Sequence, residues 1–228
     1  MQGIGLGAEL SHPFSVAAAH MHGAFFAMMV DDSTAVDISA KAVIAVATEA
    51  NLAWPGRLGR FLAAWVTARQ GEIGRGADQM EASFRDLQER KERLYLTLLG
   101  TVLARTKLEM GRTEETLNFL DELQLLSVET HQKLFVPDIH RLRAEALDRL
   151  DPKNPRIEAE YRMALQLAQE QGALALELRA AGGLATRLAA RGRTSEGMAL
   201  LRPVFDRFTE GLKTPDLRAA KTLLDALE

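Results

Sequence analysis

The stretch Leu103-Ala-Arg-Thr-Lys-Leu-Glu-Met-Gly-Arg-Thr-Glu-Glu-Thr-Leu-Asn-Phe-Leu-Asp-Glu-Leu123 decides the fold. Ala104 is a small residue seven positions before Gly111. Glycine there predicts a helix end, because many helices close on a left-handed residue, a conformation in which a Cβ is costly. Thr113 then suits an N-cap, and Glu114 and Glu115 fall in a first turn, where the helix dipole favours acids. Thr116, Leu120 and Leu123 mark one face of the helix that follows. The stretch therefore reads as two antiparallel helices joined by a tight turn.

The same spacing recurs along the chain. Ala24, Ala64, Ala104, Ala144 and Ala185 fall at steps of 40, 40, 40 and 41 residues. Seven positions past each lies a helix stop: Asp31, Gly71, Gly111, Asp151 and Gly192. Five further on come Val36, Gly76, Thr116 and Gly197; the fourth repeat, one residue longer through Pro152-Lys-Asn-Pro155, has Ile157 there. Then follow Ala40, Met80, Leu120, Tyr161 and Leu201, and after them Val43, Ser83, Leu123, Ala164 and Val204. This alternation of small and apolar positions resembles tetratricopeptide helix pairs, whose repeats run to about 34 residues. The longer period implies longer helices. The expected fold is all-α: a tetratricopeptide-like, right-handed solenoid of about five antiparallel helix pairs with a C-terminal capping helix. Residues 1–10 are expected to be a flexible leader, and 11–228 a single repeat domain.

Caps and breakers set the boundaries. They predict helices over about 13–30 and 33–50, 55–70 and 73–90, 92–110 and 113–129, 137–150 and 155–171, and 173–191 and 194–210, with a last one from Thr214-Pro215. In the last, Leu217, Ala220, Leu224 and Leu227 form an apolar stripe, while Lys213, Arg218, Lys221 and Asp225 occupy other faces, as a terminal cap requires. The first helix is different. Phe14, Val16, Met21, Phe25, Phe26, Met28, Met29 and Val30 make it apolar almost all round, so it should be buried on more than one side. Ser15, His20 and His22 make it too polar for a membrane span, and it lacks the basic start of a signal peptide. An end without a polar outer face predicts self-association, most simply a two-fold homodimer through residues 13–30.

Composition narrows the function. Of 228 residues, 47% are apolar and 26% charged, and the net charge of −3 offers no argument for nucleic acid or an anionic membrane as partner. There is no cysteine, which excludes disulfides, thiolate metal sites and a cysteine nucleophile and fits a cytoplasmic location. Gly3, Gly5 and Gly7 lack the preceding strand that a phosphate-binding glycine loop needs. His20 and His22, two apart, face different sides of a helix and cannot act as an i, i+4 metal pair. No Gly-x-Ser-x-Gly elbow occurs, and Asp31-Asp32 and Glu114-Glu115 lie at helix starts, where capping accounts for them. The reading is a non-enzymatic protein without cofactor or metal.

What remains is a groove. In tetratricopeptide arrays the first helix of each pair lines the concave face. The register places Met21, His22, Phe25 and Met29 there, then Phe61, Trp65 and Arg69, then Arg105 and Glu109, then Arg141, Glu145 and Arg149. The fifth repeat offers Gly182, Gly183 and Thr186, which are nearly bare. The candidate binding residues are therefore His22, Phe25, Phe61, Trp65, Arg69, Arg105, Arg141 and Glu145. Aromatic and arginine side chains are the types that anchor partners, although Phe25 and Trp65 could equally be packing between repeats.

Three further segments carry a family resemblance: Ser11-His-Pro-Phe-Ser15; Leu176-Glu-Leu-Arg-Ala-Ala181 with Leu184-Ala185; and Phe208-Thr-Glu-Gly211 followed by Thr214, Asp216-Leu217, Ala220-Lys221 and Leu223-Leu224. From Ser11 onward the chain resembles the C-terminal tetratricopeptide-like region of large bacterial signalling ATPases, often joined to class III adenylate/guanylate cyclase domains or to DNA-binding domains. Ser11 stands where that family often has Gly, and neither cyclase nor P-loop is present. The resemblance thus implies a sensor or interaction arm that binds a protein, a peptide or another domain of a parent protein. A regulatory domain binding a small molecule in the same groove is the alternative.

Overall fold

The computed structural model describes residues 12–228, and all regular structure among them is helical, with no strand. The helices cluster in two compact units that divide between Leu96 and Thr97. The first unit holds α1 (Pro13–Met29), α2 (Ser33–Glu49), α3 (Ala53–Arg69) and α4 (Ile73–Glu89). The second holds the body of α5 (Leu96–Glu109), then α6 (Thr113–Glu129), α7 (Val136–Leu150), α8 (Arg156–Glu170), α9 (Leu174–Ala189), α10 (Thr194–Phe205) and α11 (Pro215–Leu227). Consecutive helices pack together from α1 to α4 and from α6 to α11, and alternate ones also touch: α1 with α3, α7 with α9, and α9 with α11. The leader assigned to residues 1–10, and Ser11, lie outside the described residues. His12 caps α1, its Nδ1 accepting from the Ser15 amide at 3.3 Å.

The structural period is half the sequence period. Asp31, Asn51, Gly71, Lys91, Gly111 and His131 follow one another at 20-residue steps, all with φ between 53° and 104°, and each stands two residues past the end of a helix. Gly172 and Gly192, 20 residues apart, resume the series after the longer connector, and Gly211 follows 19 residues later. At most of these ends the next residue's amide reaches back to close the last turn: Asp32 to the Ala27 carbonyl (2.9 Å), Leu52 to Ala47 (2.8 Å), Glu92 to Leu87 (2.9 Å) and Arg193 to Leu188 (2.9 Å). This is the six-residue closure of a Schellman cap. Asp151 departs from the expected stops: its φ is −147°, and the Asp151 and Asn154 side chains organise the longer connector by accepting from the Lys153 and Arg156 amides.

Two boundaries differ from expectation. Helix α5 starts at Leu96 rather than near 92, because Lys91 and Tyr95 both have positive φ (57° and 67°), which no helix can include. Helix α10 stops at Phe205 rather than 210; Pro203 in its final turn cannot donate to the preceding turn and crowds its carbonyl.

The register residues form the core. Ala24, Ala64, Ala104, Ala144 and Ala185 are all buried, as are Val36, Thr116 and Ile157 and then Ala40, Met80, Leu120, Tyr161 and Leu201. Small residues are needed because the helices of a pair meet backbone to backbone. A Cβ on Gly76 would stand 2.6 Å from the Ala64 carbonyl oxygen, and one on Gly197 2.9 Å from that of Ala185. Gly100 similarly leaves room for Leu123, joining α5 to α6. Each fully buried Leu or Phe at such a contact contributes about 1.5–3 kcal/mol.

Polar contacts also repeat. Arg57 Nε donates to Glu92 at 2.6 Å; one repeat later the Thr97 amide and hydroxyl donate to Gln132 Oε1 at 3.4 and 3.3 Å. Arg69 pairs with Asp31 at 3.0 Å and Arg187 with Asp148 at 2.7 Å. The Glu89–Arg93 charge run is thus partly built in, through Glu92. Among the described residues no helix is long and apolar enough to cross a membrane.

Candidate functional site

In the second unit, α5, α7, α9 and α11 surround a cavity of about 400 Å³. The register explains its lining. The residue after each register alanine is Arg105 on α5, Glu145 on α7 and Thr186 on α9, and all three line it. One helical turn away from these positions lie Glu109, Arg141, Arg149 and Gly182, which line it too. Arg105, Arg141 and Glu145 are therefore brought together, with the Gly182, Gly183 and Thr186 strip on the same lining. Leu108, Leu178, Ala219, Ala220 and Leu223 supply an apolar part of the wall.

The floor is an ionic lattice. Arg141 is buried; its Nε donates to Asp138 at 2.6 Å, and Nη1 bonds Glu145. Burial alone would raise the Asp138 carboxyl, but Arg141 and Arg179 outweigh it and hold it below the usual range. Burial would likewise lower the Arg141 guanidinium, and Asp138 and Glu145 reverse that. Buried charges persist because they are paired in this way. Arg179 Nε donates to Asp216 at 2.7 Å, tying α9 to the first turn of α11. Arg105 pairs with Glu109 at 3.3 Å. Arg149 Nη1 donates to the Leu108 carbonyl.

The glycine strip has two characters. A Cβ on Gly182 would meet nothing within 4 Å, whereas one on Gly183 would strike the Tyr161 ring, 3.0 Å from Cζ. Tyr161 lies buried beneath α9; burial pushes its hydroxyl up, and the Glu145 charge adds to this. Thr186 turns its hydroxyl onto the Gly182 carbonyl at 2.9 Å.

The other five candidates belong to the first unit. Phe61 and Trp65 are buried, at 0% and 2% exposure, so as they stand they pack the core. Arg69 lies over the Trp65 ring at 5.3 Å. His22 is exposed, with Nε2 2.7 Å from the Tyr95 hydroxyl, and buried Phe25 packs its ring 4.9 Å from Tyr95. Trp54 stacks between Phe14 (6.0 Å) and Tyr95 (6.2 Å). The first unit also has a shallow groove of about 530 Å³ over α3 and α4, lined by Arg60, Thr67, Arg75 and Gln79 among others.

The sequence reading missed Arg179 and Asp216, which close one side of the cavity, and Trp54 and Tyr95 in the aromatic cluster. Arg179 was within reach, since it lies one turn before Gly182 and Gly183. Tyr95 carried no signal, because it sits in a connector with a backbone conformation rare for an aromatic residue. No protein family's sequence profile matches this chain, and no curated protein matches it at a significant level.

Proposed function

We propose that the second unit is a non-enzymatic recognition module that holds an extended segment of a partner protein, or of another domain of a parent protein, in the cavity of α5, α7, α9 and α11. One observation carries this reading: positions related by the 40-residue register, Arg105, Glu145 and Thr186, converge on one cavity. A repeat that places equivalent residues along one surface is suited to a ligand that is itself extended. The wider reading is a right-handed tetratricopeptide-like solenoid of five helix pairs closed by α11. By resemblance, it serves as the regulatory arm of a cytoplasmic bacterial signalling ATPase or cyclase. The cavity's 400 Å³ favours a second reading, a small-molecule sensor, because small-ligand sites span about 300–1,000 Å³.

Melting temperatures against a peptide library and a metabolite library test both readings. A ligand of the folded state at a hundred times its Kd adds about 2.7 kcal/mol of stability. Peptides should raise the melting point of the native chain and not that of Gly182→Leu, whose side chain would enter the cavity. Shifts by metabolites alone would establish the second reading. Peptide shifts that survive Gly182→Leu would remove the cavity from the proposal.

A further inference from the structure

Four arginines line the cavity with Glu109, Glu145 and Asp216, and Asp138 behind Arg141 brings the carboxylates to four, so the charges balance in number but are unevenly shared. Three of the arginines are matched: Arg105 by Glu109, Arg141 by Asp138 and Glu145, and Arg179 by Asp216. Arg149 is not. Among the described residues no carboxylate lies within ion-pairing distance of it, and its one hydrogen bond goes to the Leu108 carbonyl. That bond fixes the guanidinium against α5 while leaving most of its five N–H donors open. On the neighbouring helix α9 the cavity wall is bare at Gly182, with open space where a side chain would stand. A ligand backbone can therefore approach α9 while its side chain reaches Arg149 on α7 beside it.

We infer that the cavity selects a carboxylate, carried on an acidic side chain of an extended peptide and seated on Arg149; this rests on the reading of the cavity as a recognition site. Arg149 alone lacks an acidic neighbour while Arg141 has two, so a single carboxylate can be seated locally, and the planar fork of the guanidinium suits it. A phosphate, with close to two charges, would bring the excess up against Glu109, Glu145 and Asp216. Leu178, Ala220 and Leu223 suit short apolar side chains flanking the acid.

Fluorescence anisotropy on the full chain tests the inference, with a labelled peptide of alternating Glu and Ala and its Gln-for-Glu counterpart. The Glu peptide should bind, and the Gln peptide should bind about ten-fold or more weakly, as loss of a hydrogen bond to a charged group implies. Arg149→Gln should weaken the Glu peptide by a similar factor and leave the Gln peptide unchanged. Arg149→Lys, which keeps the charge and loses the fork, should recover part of the affinity. Arg218→Gln, on another face of α11, should change nothing, and thermal melts establish that each variant is folded. Inorganic phosphate should not displace the Glu peptide at concentrations where glutarate does.

Equal binding of the two peptides, or no effect of Arg149→Gln in a folded protein, overturns the inference. If that peptide binding is blocked by Gly182→Leu, the recognition module itself stands. Glutarate binding at Arg149 without any peptide binding upholds the carboxylate and overturns the peptide. Displacement by phosphate as effective as by glutarate overturns the selectivity for carboxylate.

Discussion

Gly182 and Gly183 are neighbours on one helix with opposite requirements. Above Gly182 there is open space, so Gly182→Ala should stabilise the fold by about 0.5–1 kcal/mol, the usual gain of alanine over glycine within a helix. Gly183→Ala drives a methyl into the buried Tyr161 ring and should cost about 1–3 kcal/mol, outweighing that gain. Chemical denaturation of the pair reads the two signs directly. Asp138 offers a test by pH. Folding lowers its pKa, so its ion pair with Arg141 contributes fully above the ordinary Asp value of 3.8 and is lost as pH falls through the folded value. Asp138→Asn should therefore cost about 3 kcal/mol at pH 7, the lower end for a broken buried pair because Glu145 still holds Arg141. The gap from the native protein should narrow below about pH 4. At this scale the sequence was partly legible. Arg105, Arg141 and Glu145 came from counting alone, because one repeat length puts each on the same side of its helix. The Arg179–Asp216 pair did not, since it depends on where α11 is set against α9, which no local pattern states.

Helix α11 tests the packing. Leu224 is 1% exposed among Leu217, Ala220 and Leu227, and Leu224→Asp removes a buried side chain worth about 2–5 kcal/mol and leaves an unpaired charge. The melting temperature should fall and aggregation should rise; an unchanged melt would show that α11 does not seal the end of the second unit. Helix α5 gives a paired comparison. Ala104→Leu should cost about 1–3 kcal/mol by overpacking a fully buried position, while Arg105→Ala one residue on should change stability by less than about 1 kcal/mol. The reverse order would break the register on which the cavity is built. Elements were the most legible level of this chain, because caps, prolines and glycines announce themselves locally. The 20-residue ladder of left-handed residues stayed hidden for the same reason. Asn51, Lys91 and His131 adopt that conformation without the glycine that would advertise it.

At the scale of the molecule, the apolar first helix is largely covered by its own unit. Ala17, Met21, Ala24, Phe25 and Met28 are buried, and Phe14 lies against Trp54. Phe26 remains, 71% exposed, with Val30 and, on α2, Ile38 also exposed. Light scattering at tens of micromolar should report the mass of a dimer for the native chain and of a monomer for Phe26→Glu. A monomer mass for both would end the proposal of self-association through 13–30. The sequence overstated this surface because composition counts the apolar residues of a helix without seeing which neighbours bend back over them. The turn closing each helix also constrains how such a chain can change length in descent. Within a unit each short connector reverses the direction of travel, so losing or duplicating one helix with its connector turns the later helices of that unit end for end. Surfaces that faced a ligand would then be carried by helices of the wrong parity. Losing or duplicating two restores both direction and register: within the first unit, residue 33 and residue 73 begin alternate helices, and the excision of residues 33–72 would join Asp32 to Ile73. Viable length variants of this protein should therefore differ by about 40 residues, and never by 20.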